Sequence, residues 1–185
     1  MSTRSSFEAA LKTGCRKGEL LALTWGDVDR LQQVAHIRRT RTHGYVHEPK
    51  THEHRDVVLV DDLVEILGRW YGELGRPEDD VLVFPGAAKD GYLDPTTVTS
   101  RVLNPAMERA GIPRIGPTGE KRTFHSLRHT FAKRVLESGA SIYWLSGQLG
   151  HSSIKVTIDI YGHFESAERL REARKLEGMW SGSVA

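Results

Sequence analysis

The sequence predicts an α+β fold, mainly α-helical, with a small three-stranded antiparallel sheet near its N-terminal part. Three observations carry this. Apolar residues recur with helical period in most segments after residue 60. Short β-branched runs cluster between residues 34 and 60. The 185 residues suffice for one good-sized core, and nothing repeats or reads as a low-complexity linker.

Each element has a local reason. Residues 5–12 read as the tail of a helix stopped by Thr13-Gly14, and residues 17–24 as a second helix with Leu20, Leu21 and Leu23 on its apolar side. WGDVD then turns the chain. VAHIRR, a segment around Gly44 to His47, and RDVVLV read as the three strands, with EPKTHEH as the tight connection before the last. DDLVEILGRWYGEL is an amphipathic helix with an Asp start, and VLVFP is brief and strand-like. DPTTVTSRVLNPAMERAGI is helical from about Pro95, with Pro105 expected to bend or break it. Helices follow at 126–138, 141–149, 153–161 and 165–177.

The formal charge of +2 says little, but its distribution says more. From His36 to Arg55 five Arg/Lys stand against two acids, and from Arg109 to Arg134 seven stand against one. Brought together, these runs would form a basic face suited to a polyanion; kept apart, they are solvated surface. The single cysteine, Cys15, excludes an internal disulfide framework and fits a reducing compartment. MSTRSSFEAAL lacks the apolar core of a signal peptide, and no run approaches the length of a bilayer span. The expected location is cytoplasmic, with no membrane partner.

In TFHSLRHTFAKRVLESG, His125 and Arg128 share a helix face close to an N-terminus, where free N–H groups and the dipole favour a phosphate. The spacing alone is weak, because His36/Arg39 and His52/Arg55 repeat it. A strand sends positions three apart to opposite faces, which argues against the first pair. Only the third pair opens an apolar helix. TGCRKGELLALTWGDVD supplies Arg16 at a helix start, with Glu19 placed to hold that start or orient the guanidinium. EPKTHEHRDV offers Lys50 on a hairpin tip, and LGHSSIKVTIDIYGH leads from His151 to Tyr161 along a helix.

Singly, each has a plainer reading. Arg16 is an ordinary surface arginine, Lys50 a solvated turn lysine, His151 a helix cap or a buried histidine and Tyr161 a core aromatic. His125 and His129 have the spacing of a zinc helix, but Ser126 stands where a metalloprotease carries its Glu. His43, His47, His52 and His54 lack a clustered carboxylate or cysteine partner. Neither metal nor other cofactor is expected.

Taken in order, these segments resemble the catalytic domain of the tyrosine recombinase, or phage integrase, family, from Thr13 to about Phe164. TGCRKGELLALTWGDVD is similar to its first-arginine box, PKTHEHR to its sheet-turn lysine segment, HSLRHTFAKRVLESG to its His-x-x-Arg helix and LGHSSIKVTIDIYGH to its histidine-to-tyrosine segment. The resemblance implies Arg16, Lys50, His125, Arg128, His151 and Tyr161 as catalytic residues, with Glu19 in support. It implies a site-specific recombinase that cleaves and rejoins double-stranded DNA through a 3′-phosphotyrosyl intermediate, without metal or ATP. Tyr161 would be the nucleophile, Arg16 and Arg128 would hold the phosphate, and Lys50 would protonate the leaving 5′-oxygen. His125 would assist proton removal from Tyr161, and His151 would donate to the phosphate.

The resemblance further implies residues 1–164 as the catalytic domain, with the family's N-terminal core-binding domain absent, as in a fragment of a longer integrase. Residues 165–185 would form a C-terminal helix and tail. This segment is expected to contact other recombinase protomers, which in the family assemble as a tetramer on DNA, or to pack on its own domain. The protein would be nucleoid-associated. Two other functions fit less well: a DNA-binding remnant that does not cut, and a type IB topoisomerase-like enzyme.

Overall fold

The computed structural model describes residues 2–48, 54–87, 91–93 and 98–162, and the chain divides into two compact units, residues 1–131 and 132–185. Lys50 and the segment 165–185 lie outside the described residues.

The first unit opens with α1 (Ser2–Thr13), which buries Ser5, Ser6, Ala9, Ala10 and Thr13 along one stripe. Small side chains there let α1 lie close to its neighbours. Gly14, at φ +68°, ends the helix, its N–H donating to the Ala10 carbonyl. Helix α2 (Lys17–Ala22) follows at once and buries Leu20 and Leu21. It packs on a strand so tightly that a Cβ at Gly18 would stand 2.5 Å from the Arg41 carbonyl oxygen.

Five strands follow: β1 (Val28–Asp29), β2 (Val34–Ile37), β3 (Thr40–Thr42), β4 (Tyr45–His47) and β5 (Arg55–Val58). The expected three-stranded antiparallel sheet is present, in the order β1-β2-β5, but its third member is β1. WGDVD forms a 3-10 turn over Trp25–Asp27 and then enters the sheet, whereas Tyr45–His47 pairs with β3 as a separate ladder. The reason is local: His43 and Gly44, both at positive φ, close a two-residue hairpin between Thr42 and Tyr45. Register in the main sheet opposes Ala35 to Val57 on the core face and His36 to Asp56 outside, where His36 Nδ1 lies 2.7 Å from Asp56 Oδ1. His36 is thus committed to the sheet surface.

Helix α3 (Asp61–Glu73) has acids in its first turn and buries Leu63, Leu67 and Trp70 at helical spacing. The Trp70 indole donates to the Val83 carbonyl at 2.7 Å. VLVFP is no full strand: Leu82 and Pro85 make isolated bridges to Thr24 and Tyr92. A π-helical segment, Val98–Leu103, leads into α4 (Asn104–Arg109), where Pro105 sits in the first turn. The wider turn accommodates a ring that would otherwise strike the carbonyl four residues back. Helix α5 (His125–Glu137) begins in this unit, pinned where Phe124 meets Phe7 edge-on with ring centroids 5.3 Å apart.

The second unit contains α6 (Ile142–Leu149) and α7 (Ile154–Tyr161), which pack together. Ser141 and Ser153 cap their starts through side-chain oxygens that accept backbone N–H groups at 3.2 Å. Gly150, at φ +65°, closes α6 and releases the chain toward His151.

Candidate active site

The site of the first unit is built around one buried carboxylate. Glu19, in the first turn of α2, is 3% exposed and accepts four hydrogen bonds. Its Oε2 accepts the Arg16 backbone N–H at 2.7 Å, and its Oε1 accepts Arg16 Nη1 at 3.0 Å. Both roles expected of Glu19, holding the helix start and orienting the guanidinium, are present. The other two bonds come from a residue that no local motif marks as part of the site. Arg55 Nη1 and Nη2 donate to Oε1 at 2.8 Å and to Oε2 at 2.7 Å, a two-point fork.

Arg55 is the first residue of β5, paired with Ile37 and on the same face as Val57, so its register turns it inward. Alternation was the available signal. Arg55, Val57 and Leu59 are spaced by two, and a cation on a core face needs a buried anion.

Arg128 occupies the buried stripe of α5, with Phe131 and Ala132, and is 3% exposed. Its Nη1 donates to the Gly14 carbonyl at 2.7 Å, so the turn that ends α1 holds it. Burial, then the charges of Arg16 and Arg55, push its pKa down to about 10, against a counter-pull from Glu19. It remains charged at neutral pH. His125 lies on the exposed flank of α5 with its ring against His129, centroids 4.9 Å apart. Partial burial, then His129, Arg128 and Arg16, lower its pKa. The imidazole is therefore neutral at pH 7 and able to accept a proton. Arg16, Glu19, His125 and Arg128 thus come together, with Arg55 added.

Glu19 itself is held below the usual carboxylate range: burial opposes ionisation, but the Arg55 hydrogen bonds and charge, then Arg16, outweigh it. Cys15 is buried beside these groups, and burial foremost pushes its thiol up to about 11. It fills a small core slot.

In the second unit, His151 follows the α6 cap with its N–H donating to the Ser146 carbonyl at 3.2 Å. Its Nδ1 lies 2.8 Å from Oγ1 of the fully buried Thr157, which fixes the ring. Tyr161 is the last residue of α7 and is 3% exposed, the burial expected of a core aromatic. Thr157 and Tyr161, four apart, form the buried stripe of α7.

The first basic run is partly structural. Arg41 is buried with Nη1 on the Leu93 carbonyl, Arg39 pairs with Asp27, and Arg55 holds Glu19; Arg38 is exposed. Among the described residues, no three His, Cys, Asp or Glu side chains converge as a metal-binding set, and no helix is long and apolar enough to cross a membrane.

The model of the phage integrase family matches residues 1–168. The ICEBs1 integrase of Bacillus subtilis (strain 168) is 27% identical over 189 residues, covering 95% of this chain and 49% of that protein. The chain spans about half the length of the curated relatives it matches. The catalytic domain of bacteriophage HP1 integrase aligns with a TM-score of 0.60 at 25% identity, covering 98% of this chain and 84% of that one. The XerH site-specific recombinase, solved bound to a palindromic difH substrate, aligns with a TM-score of 0.67 at 26% identity, covering 94% and 45%. A family match over 168 of 185 residues, on a fold shared with integrase catalytic domains, shows that this chain belongs to the phage integrase family of tyrosine recombinases.

Proposed function

We propose that this chain is the catalytic domain of a site-specific DNA recombinase that cleaves and rejoins strands through Tyr161. The observation that carries the reading is the convergence of Arg16, Arg128 and His125 around the turn at Gly14. It makes a cationic corner with a neutral imidazole at its edge.

Cutting and rejoining without an energy source requires that the phosphodiester bond energy be kept. A tyrosyl ester keeps it: the Tyr161 oxygen bonds to phosphorus as the 5′-oxygen departs, and a second 5′-hydroxyl later reverses the exchange. Charge grows on the non-bridging oxygens in the transition state. Guanidiniums in fixed geometry stabilise it better than mobile ammoniums, the role of Arg16 and Arg128. A phenol of pKa about 10 is a poor nucleophile at neutral pH. His125, kept neutral, takes its proton, and Lys50 protonates the leaving 5′-oxygen. With the Thr157 hydroxyl donating to His151 Nδ1, the ring proton sits on Nε2, the atom that would donate to the phosphate. The guanidiniums supply the electrostatic stabilisation, so the reaction runs without metal or ATP.

Tyr161 is buried, so attack must be accompanied by a movement that uncovers it. We further assign residues 1–164 as the catalytic domain and residues 165–185 as a contact to other protomers. The partner in this reading is double-stranded DNA, and a nucleoid-associated location is part of the proposal. XerH, bound to its difH substrate, supports DNA as the partner by likeness.

The test is covalent trapping on nicked duplexes of randomised sequence, whose short cleaved end diffuses away. A denaturing gel should show a DNA-linked band from the wild type and none from Tyr161→Phe. A band that survives the substitution overturns the assignment. Duplex binding without any band favours a remnant that occupies DNA without cutting it.

A further inference from the structure

We infer that Arg55 is a positioning residue for the proposed strand cleavage: its two-point grip on Glu19 sets the geometry of Arg16. The inference rests on the recombinase reading only for its consequence in catalysis. Its structural content is independent of that reading.

Glu19 offers two oxygens, and each takes one bond from Arg16 and one from Arg55. The partners are unequal. The Arg55 side chain is 11% exposed and meets the carboxylate fork on fork. The Arg16 side chain is 46% exposed and gives Glu19 only Nη1, with its backbone N–H taking the other oxygen. A carboxylate and a guanidinium with nothing between them pair through two parallel bonds. Arg55 already fills that arrangement, so Glu19 can hold Arg16 by one side-chain bond but cannot draw it into a full fork. Without Arg55, the same carboxylate would capture Arg16 in bidentate pairing and turn it from the phosphate. Arg55 thus neutralises Glu19 from the sheet side and leaves the half-exposed Arg16 side chain on a single bond to that carboxylate. Lysine at position 55 keeps the charge but presents a point rather than a fork, so it separates the two roles.

The experiment uses the full chain with Arg55→Lys, Glu19→Gln and the double substitution, and two readouts. The first is the first-order rate of covalent adduct formation at saturating nicked duplex. Arg55→Lys should lower it by about 10- to 100-fold, as misplacing a catalytic group does. Duplex affinity should stay within about threefold, and the double variant should be no slower than Glu19→Gln, as for residues acting through one contact. The second is the Nε–Hε NMR signal of Arg16, identified by its loss in Arg16→Lys. It should shift in Arg55→Lys, because the guanidinium has changed its hold on Glu19. A rate within twofold of wild type, or an unmoved Arg16 signal, overturns the inference. Absence of adduct in the wild type would refute the recombinase reading instead, and the Arg16 signal would still decide the positioning claim.

Discussion

Replacing Glu19 by Gln removes the one carboxylate that Arg16 and Arg55 share, and its cost follows from the bonds it breaks. The wild-type carboxylate accepts four N–H donors, two on each oxygen. An amide keeps one accepting oxygen and points an NH₂ group at donors that can no longer be satisfied. Arg55, its side chain 11% exposed, would be left without its counter-charge, beside a buried Arg128. Removing one partner of a buried ion pair costs about 3–5 kcal/mol. That is between roughly 100-fold and a few thousand-fold in the folding equilibrium constant. The melting temperature should fall by about 6–20 °C for a chain of this size.

Urea unfolding followed by tryptophan fluorescence measures the change, with Trp25 and Trp70 in the core of the first unit. The pH dependence adds a sign. Glu19 has a folded pKa below its ordinary value of 4.5, so its stabilisation is complete above that value and disappears as pH falls through the lowered one. The gap between wild type and Glu19→Gln should therefore narrow in acid. A loss under about 1 kcal/mol at pH 7, or a gap that does not change with pH, would refute the reasoning, since a buried carboxylate gripped by two guanidiniums admits neither.

Three other outcomes follow from the same geometry. Gly18→Ala should destabilise by about 1–3 kcal/mol in urea unfolding, because the new methyl group meets the backbone of Arg41, which cannot rotate away. Cys15, with its pKa pushed from 9.0 to about 11, should react with iodoacetamide at pH 8 at least about 100-fold more slowly in the folded protein than in denaturant; equal rates would place it elsewhere than the core. His125 has a folded pKa below 6.5, so it loses its basic form only as pH falls below that value. The acid limb of adduct formation should reflect this. His129→Gln removes one of the causes, and the limb should move toward higher pH.

Much of this was legible in the sequence because the responsible signals are local. The α5 start combines a helical apolar stripe with His125 and Arg128 three apart, and Gly14 and Gly150 mark helix ends where positive φ is needed. Glu19 could be assigned to Arg16 because three residues on a helix start bring them together. Arg55 was hidden because its partner lies 36 positions away, and only strand register turns it inward. The third sheet strand was missed for a related reason. Val28–Asp29 is too short to alternate, while Tyr45–His47 has strand character but pairs locally through the His43-Gly44 turn. The burial of Tyr161 was ambiguous from the start, since Thr157 and Tyr161 at spacing four fit an inward-facing stripe as well as a delivered nucleophile.

The central claim, that Tyr161 carries the DNA during the reaction, is tested most directly by locating the linkage. The adduct trapped on a nicked duplex would be digested with nuclease and protease, and the peptide bearing the residual nucleotide sequenced by tandem mass spectrometry. The account predicts a 3′-linked nucleotide on the phenolic oxygen of Tyr161, in the peptide that begins after Lys155. A nucleotide on any other residue, or on a 5′-phosphate, would contradict it.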